Sequence, residues 1–267
     1  MDSSEVYVSA ASVSELCELS FYEKAYQIIP KERQEKIDRL RMEKDKRRSL
    51  GAYLLFLWGM KKRGLRAEDF CIAYGKEGKP YLDGTEGVFF NLSHSGEYAV
   101  CAVSEKEIGC DVEKISECRL TLAKRFFSAA EYDMLLAQET EEEKQELFYR
   151  LWTLKESFIK AVGKGLYLPL ASFSIVFPKK DSGRKDSRME SSFGEYGAGG
   201  CSGEDFRKNI SVEFETDFLE KKDYYFREIF FSPEYKCALC GLDRRIGEED
   251  GVLFEKVQLS DVVKEME

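Results

Sequence analysis

Leu147, Leu151, Leu154, Phe158 and Val162 recur at three- and four-residue intervals, which predicts a long amphipathic helix over roughly 142–164, stopped by Gly163 and Gly165. A second run, 49–63, is apolar almost throughout and ends at Gly64; it reads as a buried helix continuing a highly charged stretch that opens at Pro30. Residues 14–29 suit a short helix, and Ser128-Ala129-Ala130-Glu131 is a capping box that starts another. Period-two or short apolar runs at 5–10, 70–74, 88–90, 98–103, 108–113, 173–177, 210–215, 223–231 and 235–242 read as strands. Gly75-Lys76-Glu77-Gly78-Lys79-Pro80 is a turn carrying two lysines. Between the later strands, 179–209 turns abruptly to Gly, Ser, Lys and Asp, the composition of a mobile surface loop.

The order of elements carries a faint echo. A helix ending in Lys-x-Gly-Leu or Lys-Gly-Leu (Lys62–Leu65, Lys164–Leu166) precedes a strand in each half. Ser95-Gly-Glu-Tyr-Ala-Val-Cys-Ala is also similar to Ser232-Pro-Glu-Tyr-Lys-Cys-Ala-Leu. Two similar α+β halves with a site between them would produce this, although identities so short also arise by chance.

Bulk properties narrow the field. A chain of 267 residues with 43% hydrophobic and 13% aromatic content can bury a substantial core. Its net charge of −9 supplies no global field to attract a polyanion, so no nucleic-acid partner is expected. The most apolar run, Leu54–Met60, falls far short of the ~20 residues that span a bilayer, so no membrane partner is expected. The acidic first residues lack an export-signal pattern, and the eight cysteines lack framework spacing; reduced thiols and a cytoplasmic location follow. Cys237-Ala238-Leu239-Cys240 has no second pair, so buried strand cysteines are expected there rather than zinc ligands.

The chemistry concentrates in three segments. In a strand, Asp111 and Glu113 project to one face while Ile108, Cys110 and Val112 take the other. Two carboxylates side by side call for a cation or for solvent, so both a metal pair and a solvated edge fit them. On the long helix, Glu156 and Lys160 lie one turn apart, roughly opposite the apolar stripe. Alone they read as an ordinary i,i+4 surface pair worth a few tenths of a kcal/mol. Trp152 on the same side is unusual for a solvated face. His94, the sole histidine, follows a strand between Ser93 and Ser95; it is either a buried neutral ring or a group that protonates beside a pyrophosphate. A Ser–His hydrolase fits poorly, since the chain has no G-x-S-x-G elbow. Arg33, Lys36, Arg39, Arg41, Lys44, Lys46, Arg47 and Arg48 are interleaved with acids and read as a mostly solvated helix face, of which one or two could grip a phosphate monoester.

Taken together, Gly78-Lys79-Pro80-Tyr81, Phe90–Gly96, Gly109-Cys110-Asp111-Val112-Glu113 and Trp152–Leu166 resemble, in order, the motifs of the larger, surfactin-synthetase-activating type of 4'-phosphopantetheinyl transferase. That resemblance implies an α+β monomer of two similar halves, 1–105 binding the coenzyme A nucleotide and 106–260 carrying the metal site and catalytic helix, with the coenzyme between them. It implies transfer of the phosphopantetheine arm of coenzyme A to a serine of an apo acyl or peptidyl carrier protein, releasing adenosine 3',5'-bisphosphate. Asp111, Glu113 and Glu156 would hold Mg²⁺. Glu156, directly or through a water, would deprotonate the carrier serine, and Lys160 would neutralise the phosphate in flight. Arg33, Lys36, Arg48, Ser49, Lys79, Pro80, Ser93, His94, Lys155 and Lys160 would contact the coenzyme, the first four around its 3'-phosphate. Two departures stand out: Cys110 replaces a usual aliphatic residue, and 179–209 is longer than the family's usual connection.

The same acids would serve a magnesium-dependent phosphodiesterase or nuclease, although a positive groove would be expected there rather than −9 overall. A carrier-binding module without catalysis is the non-enzymatic rival; the intact acidic trio speaks against it.

Overall fold

The computed structural model describes residues 5–178, 210–214 and 222–267. The expected loop at 179–209 lies outside the described residues. The architecture is α+β, in four layers: helix, sheet, sheet, helix.

The first sheet has the order β11-β1-β5-β4, from Val252–Lys256, Val6–Ser12, Tyr98–Ser104 and Phe89–Ser95. The second has the order β6-β10-β9, from Ile108–Lys114, Tyr235–Gly241 and Tyr225–Glu228. Val6, Val8, Ala10, Val100 and Ala102 of the first sheet pack against Ile108, Cys110, Val112, Cys237 and Leu239 of the second. The outer face of the first sheet, with Cys101 and Val103, is covered by α3 (Glu43–Lys62), and that of the second, with Ala238 and Cys240, by α6 (Glu141–Val162). Both faces of β1, β5 and β10 are therefore apolar, which is why these strands read as almost unbroken hydrophobic runs.

The echo has a structural counterpart. A strand (β1 or β6), a long helix (α3 or α6), a small hairpin and then a larger hairpin follow one another twice. The small hairpins are β2-β3 (Cys71–Tyr74, Pro80–Asp83) and β7-β8 (Phe173–Val176, Ser211–Phe214). In each half the first strand pairs antiparallel with the last, giving β1-β5-β4 and β6-β10-β9. Tyr98 and Tyr235, equivalent in the two similar strings, meet with ring centroids 4.9 Å apart.

Several boundaries differ from expectation. The charged stretch after Pro30 forms α2 (Lys31–Asp38) and the first turns of α3, while α1 occupies Leu19–Ile28 behind a short 3-10 turn. Strand β4 runs on to Ser95, so His94 lies within it rather than after it. The chain also crosses back. β11 adds parallel to β1, and α7 (Leu259–Met266) packs its Leu259, Val262 and Val263 into the α1–α3 core. Residues 252–266 thus sit with the first half, and the halves are not two consecutive stretches divided once.

The capping box at Ser128 forms as the sequence indicates, and a second one forms at Thr140. Ser128 accepts from Glu131 N at the start of α5 (Ala129–Leu136), and Thr140 accepts from Glu143 N at the start of α6. A further helix, α4, spans Leu120–Phe126. Trp152 is half-buried; it stacks on Phe148 at 5.8 Å and meets Phe126 edge-on at 5.8 Å.

Candidate active site

β6 lies at one edge of the second sheet and β4 at one edge of the first, and the two edges run side by side. α6 crosses β6 at Gly109. A methyl group there would overlap Ser157 O and Ala161 N of the helix and approach Lys160 C to 2.9 Å. Only glycine permits that approach. It carries Lys160 onto the strand, where Nζ donates to Asp111 Oδ1 at 2.6 Å, Cys110 O at 3.1 Å and Ser93 Oγ at 3.1 Å.

Asp111 is 4% exposed, so the solvated-edge reading of the acid pair does not hold. Its Oδ1 also accepts from Ser93 Oγ at 2.9 Å, while its buried Oδ2 has no hydrogen-bond partner among the described residues. An unpartnered buried carboxylate oxygen is costly and marks a position suited to a cation or donor. Glu113 accepts from Ser95 Oγ at 2.7 Å. Glu156 faces the same region from α6. Burial raises the pKa of both glutamates above the ordinary carboxyl value, and the neighbouring Asp111 charge adds to the shift in each. Burial depresses the Lys160 ammonium, yet Asp111 and its other neighbours more than offset this, and its net shift is upward. Lys160 is paired with Asp111 across the α6–β6 contact, which replaces the surface Glu156–Lys160 reading.

These acids share one electrostatic neighbourhood without forming a ready cage: among the described residues no three His, Cys, Asp or Glu are disposed to hold a metal together. The expected joint grip is therefore not preformed. The donor chemistry nonetheless suits a hard cation, being all carboxylate oxygen with one buried oxygen unsatisfied and two acids repelled by a third.

The expected coenzyme contacts separate into groups. His94 takes the opposite face of β4 from Ser93 and reaches solvent. Crowding by protein lowers its pKa, and the Arg48 and Lys160 charges lower it further, so the ring is neutral at neutral pH. Arg48 Nε donates to Gly96 O at 2.7 Å, in the turn after His94. Arg33 and Ser49 are together: Nη2 donates to Ser49 Oγ at 2.8 Å, the guanidinium lies 5.1 Å over Tyr53, and its buried Nε has no partner among the described residues. Lys36 donates to Tyr74 OH at 2.6 Å. Lys79 Nζ donates to Ala161 O at 2.8 Å and pairs with Glu107, which ties the β2-β3 hairpin, led into β3 by Pro80, to the end of α6.

Two expectations need correction. Lys155 is fully buried, donating to both Glu131 oxygens at 2.8 and 2.6 Å and to Phe173 O at 2.6 Å. It points into the protein and cannot reach a coenzyme in a cleft. Ser93 Oγ accepts from Val112 N and Lys160 and donates to Asp111, which leaves no free position for a phosphate.

Two family models match the chain. Residues 18–106 fit the 4'-phosphopantetheinyl transferase N-terminal model, and residues 107–200 fit the 4'-phosphopantetheinyl transferase superfamily model. The 4'-phosphopantetheinyl transferase Sfp of Bacillus subtilis (strain 168) is 40% identical over 154 residues, 57% of this chain and 68% of that protein. The chain belongs to the 4'-phosphopantetheinyl transferase family. Another 4'-phosphopantetheinyl transferase of Bacillus subtilis is 42% identical over 148 residues, covering 55% of this chain and 66% of the relative. The 4'-phosphopantetheinyl transferase gsp of Aneurinibacillus migulanus is 38% identical over 55% of this chain and 61% of its own length. The matches thus span about two thirds of these relatives. Among solved structures, the holo-[acyl-carrier-protein] synthase of Thermotoga maritima aligns at 17% identity and TM-score 0.34, over 50% of this chain and 61% of that one, an overlap too loose to bear weight.

In this chain, residue-level reading of the sequence missed Asn91, Ser95, Glu107 and Glu131 as partners of the expected site residues. A signal existed for the first two: Asn91-x-Ser93-x-Ser95 and Gly109-x-Asp111-x-Glu113 share a period of two, as facing strands would.

Proposed function

We propose that this chain transfers the 4'-phosphopantetheine arm of coenzyme A to a serine of an apo acyl or peptidyl carrier protein, releasing adenosine 3',5'-bisphosphate. The observation that carries the reading is the convergence of Asp111, Glu113, Glu156 and Lys160 on the α6–β6 contact, with Asp111 Oδ2 buried and without a partner among the described residues.

Asp111, Glu113 and Glu156 would hold Mg²⁺, which supplies charge neutralisation at the pyrophosphate and polarisation of the phosphorus. Lys160, held at Asp111, would neutralise charge on the phosphoryl group in flight. Glu156, whose raised pKa makes it the stronger base, takes the proton of the carrier serine, directly or through a water. His94 serves the coenzyme phosphates from the end of β4, and Arg33, Lys36, Arg48 and Ser49 serve the nucleotide 3'-phosphate from α2 and α3. A monomeric, cytoplasmic enzyme is part of the same proposal; no described helix is long and apolar enough to cross a membrane. No observation favours the phosphodiesterase or nuclease alternative.

The test is mass spectrometry of apo carrier proteins incubated with coenzyme A and Mg²⁺, seeking the phosphopantetheine mass gain and its loss with a chelator. Asp111→Ala and Glu156→Ala should abolish the gain while leaving the circular dichroism spectrum unchanged. Full activity of either variant at saturating Mg²⁺ would refute the site.

A further inference from the structure

Three side chains of β4 bond to β6 at a constant offset. Asn91 Oδ1 accepts from Cys110 N at 3.0 Å, Ser93 Oγ from Val112 N at 3.2 Å and Ser95 Oγ from Lys114 N at 3.1 Å. No backbone ladder joins β4 to β6 among the described residues. The outward N–H groups of an edge strand, which would otherwise be bare, are thus satisfied by side chains of the other half. Each serine then turns its own proton to a carboxylate of the same strand: Ser93 to Asp111 Oδ1 at 2.9 Å, and Ser95 to Glu113 Oε2 at 2.7 Å. A hydroxyl oxygen held by a backbone N–H keeps one free rotation, and the carboxylate takes it up. The result is a clamp in which each serine grips β6 at two points, a backbone N–H and the carboxylate one residue before it.

We propose that Asn91, Ser93 and Ser95 are positioning residues which set the register between the two halves and aim Asp111 and Glu113, a role that rests on the transferase reading above. The opposite face of β4 carries His94, so one strand fixes the spacing between the coenzyme-facing ring and the acids of β6. The clamp acts through the carboxylates and touches no substrate.

Ser95 is the position to test, being only half-buried and free of contact with Lys160. Ser95→Ala should speed amide exchange at Lys114 about tenfold, the loss of one protecting hydrogen bond. It should weaken Mg²⁺ binding, measured calorimetrically on the enzyme alone, by about 10–100-fold and lower kcat similarly. KM for coenzyme A should stay within about twofold, because no substrate contact is removed. Ser95→Thr, which keeps the hydroxyl on a strand-compatible side chain, should restore all three. Unchanged Lys114 exchange in Ser95→Ala would show that the clamp does not exist. Faster exchange with unaltered Mg²⁺ affinity and kcat would reduce it to a structural stitch and overturn the proposal. Should the wild-type protein transfer no arm while exchange and Mg²⁺ affinity still respond, the functional reading would fail and the clamp would stand.

Discussion

Removing the Lys155 ammonium while keeping its aliphatic bulk, as Lys155→Met, is expected to damage the fold and not coenzyme binding. In the native protein the lysine and Glu131 side chains are 0% and 1% exposed. Three short charge-assisted bonds, at 2.8, 2.6 and 2.6 Å, hold the ammonium to Glu131 and to Phe173 O, 4.3 Å from the Phe173 ring. Without the ammonium, Glu131 retains donors from Ser128 N at 2.9 Å and Ile175 N at 2.7 Å, so its charge is buried but not bare. Breaking a buried pair from one side costs about 3–5 kcal/mol, and these two donors place the expectation near the lower end, about 3 kcal/mol. At about 2–4 °C per kcal/mol, the melting temperature should fall by roughly 6–12 °C. Adding Glu131→Gln removes the stranded charge and keeps an acceptor for Ile175 N, so the double variant should recover more than half of the loss. Urea unfolding followed by fluorescence measures each value, and KM for coenzyme A measured well below the transition should match the wild type. A single-variant loss under about 1 kcal/mol, or a double variant no better than the single one, would refute the buried-pair argument. A raised KM in a fully folded Lys155→Met would return the lysine to the coenzyme.

Three further outcomes follow from the same geometry. Gly109→Ala should lower both activity and melting temperature, at an overpacking cost of about 1–3 kcal/mol or more, because the atoms its methyl meets are α6 backbone; unaltered values would show that the helix can retreat. Glu156→Gln should abolish transfer yet raise the melting temperature at pH 7.5 in chelator. The raised carboxyl pKa means the folded state binds its proton more tightly than the unfolded state, so that stability is present below the ordinary value of 4.5 and is lost as pH rises through the folded value. The gain should therefore vanish near pH 4, and a gain persisting there would contradict the assignment. His94 starts with a lowered pKa, which an approaching phosphate would raise, so coenzyme binding should take up protons and tighten as pH falls below neutrality. Calorimetry in two buffers of different ionisation enthalpy detects the uptake, and His94→Ala should remove it; equal uptake by that variant would exclude the ring.

What could be read from the chain alone was whatever depends on neighbours in sequence. The Leu147–Val162 stripe, the Ser128 cap, and the same-face placement of Asp111 and Glu113 are consequences of helix and strand periods, and tertiary packing cannot reverse them. Periodicity likewise paired Glu156 with Lys160, but it could not say what lay opposite. That was decided by the side chain missing at Gly109, which lets α6 settle on β6 and gives Lys160 to Asp111. Lys155 and Lys160 are alike in charge and nearly adjacent in sequence; one is sealed against Glu131 and the other opens on the acids, because they leave the helix in different directions and meet different layers. The polar alternation of Asn91, Ser93 and Ser95 resembles a solvated face until a second strand edge is laid along it. The return of β11 and α7 to the first half was equally beyond local signals, because a parallel partner some 245 residues away leaves no mark on either strand's own pattern.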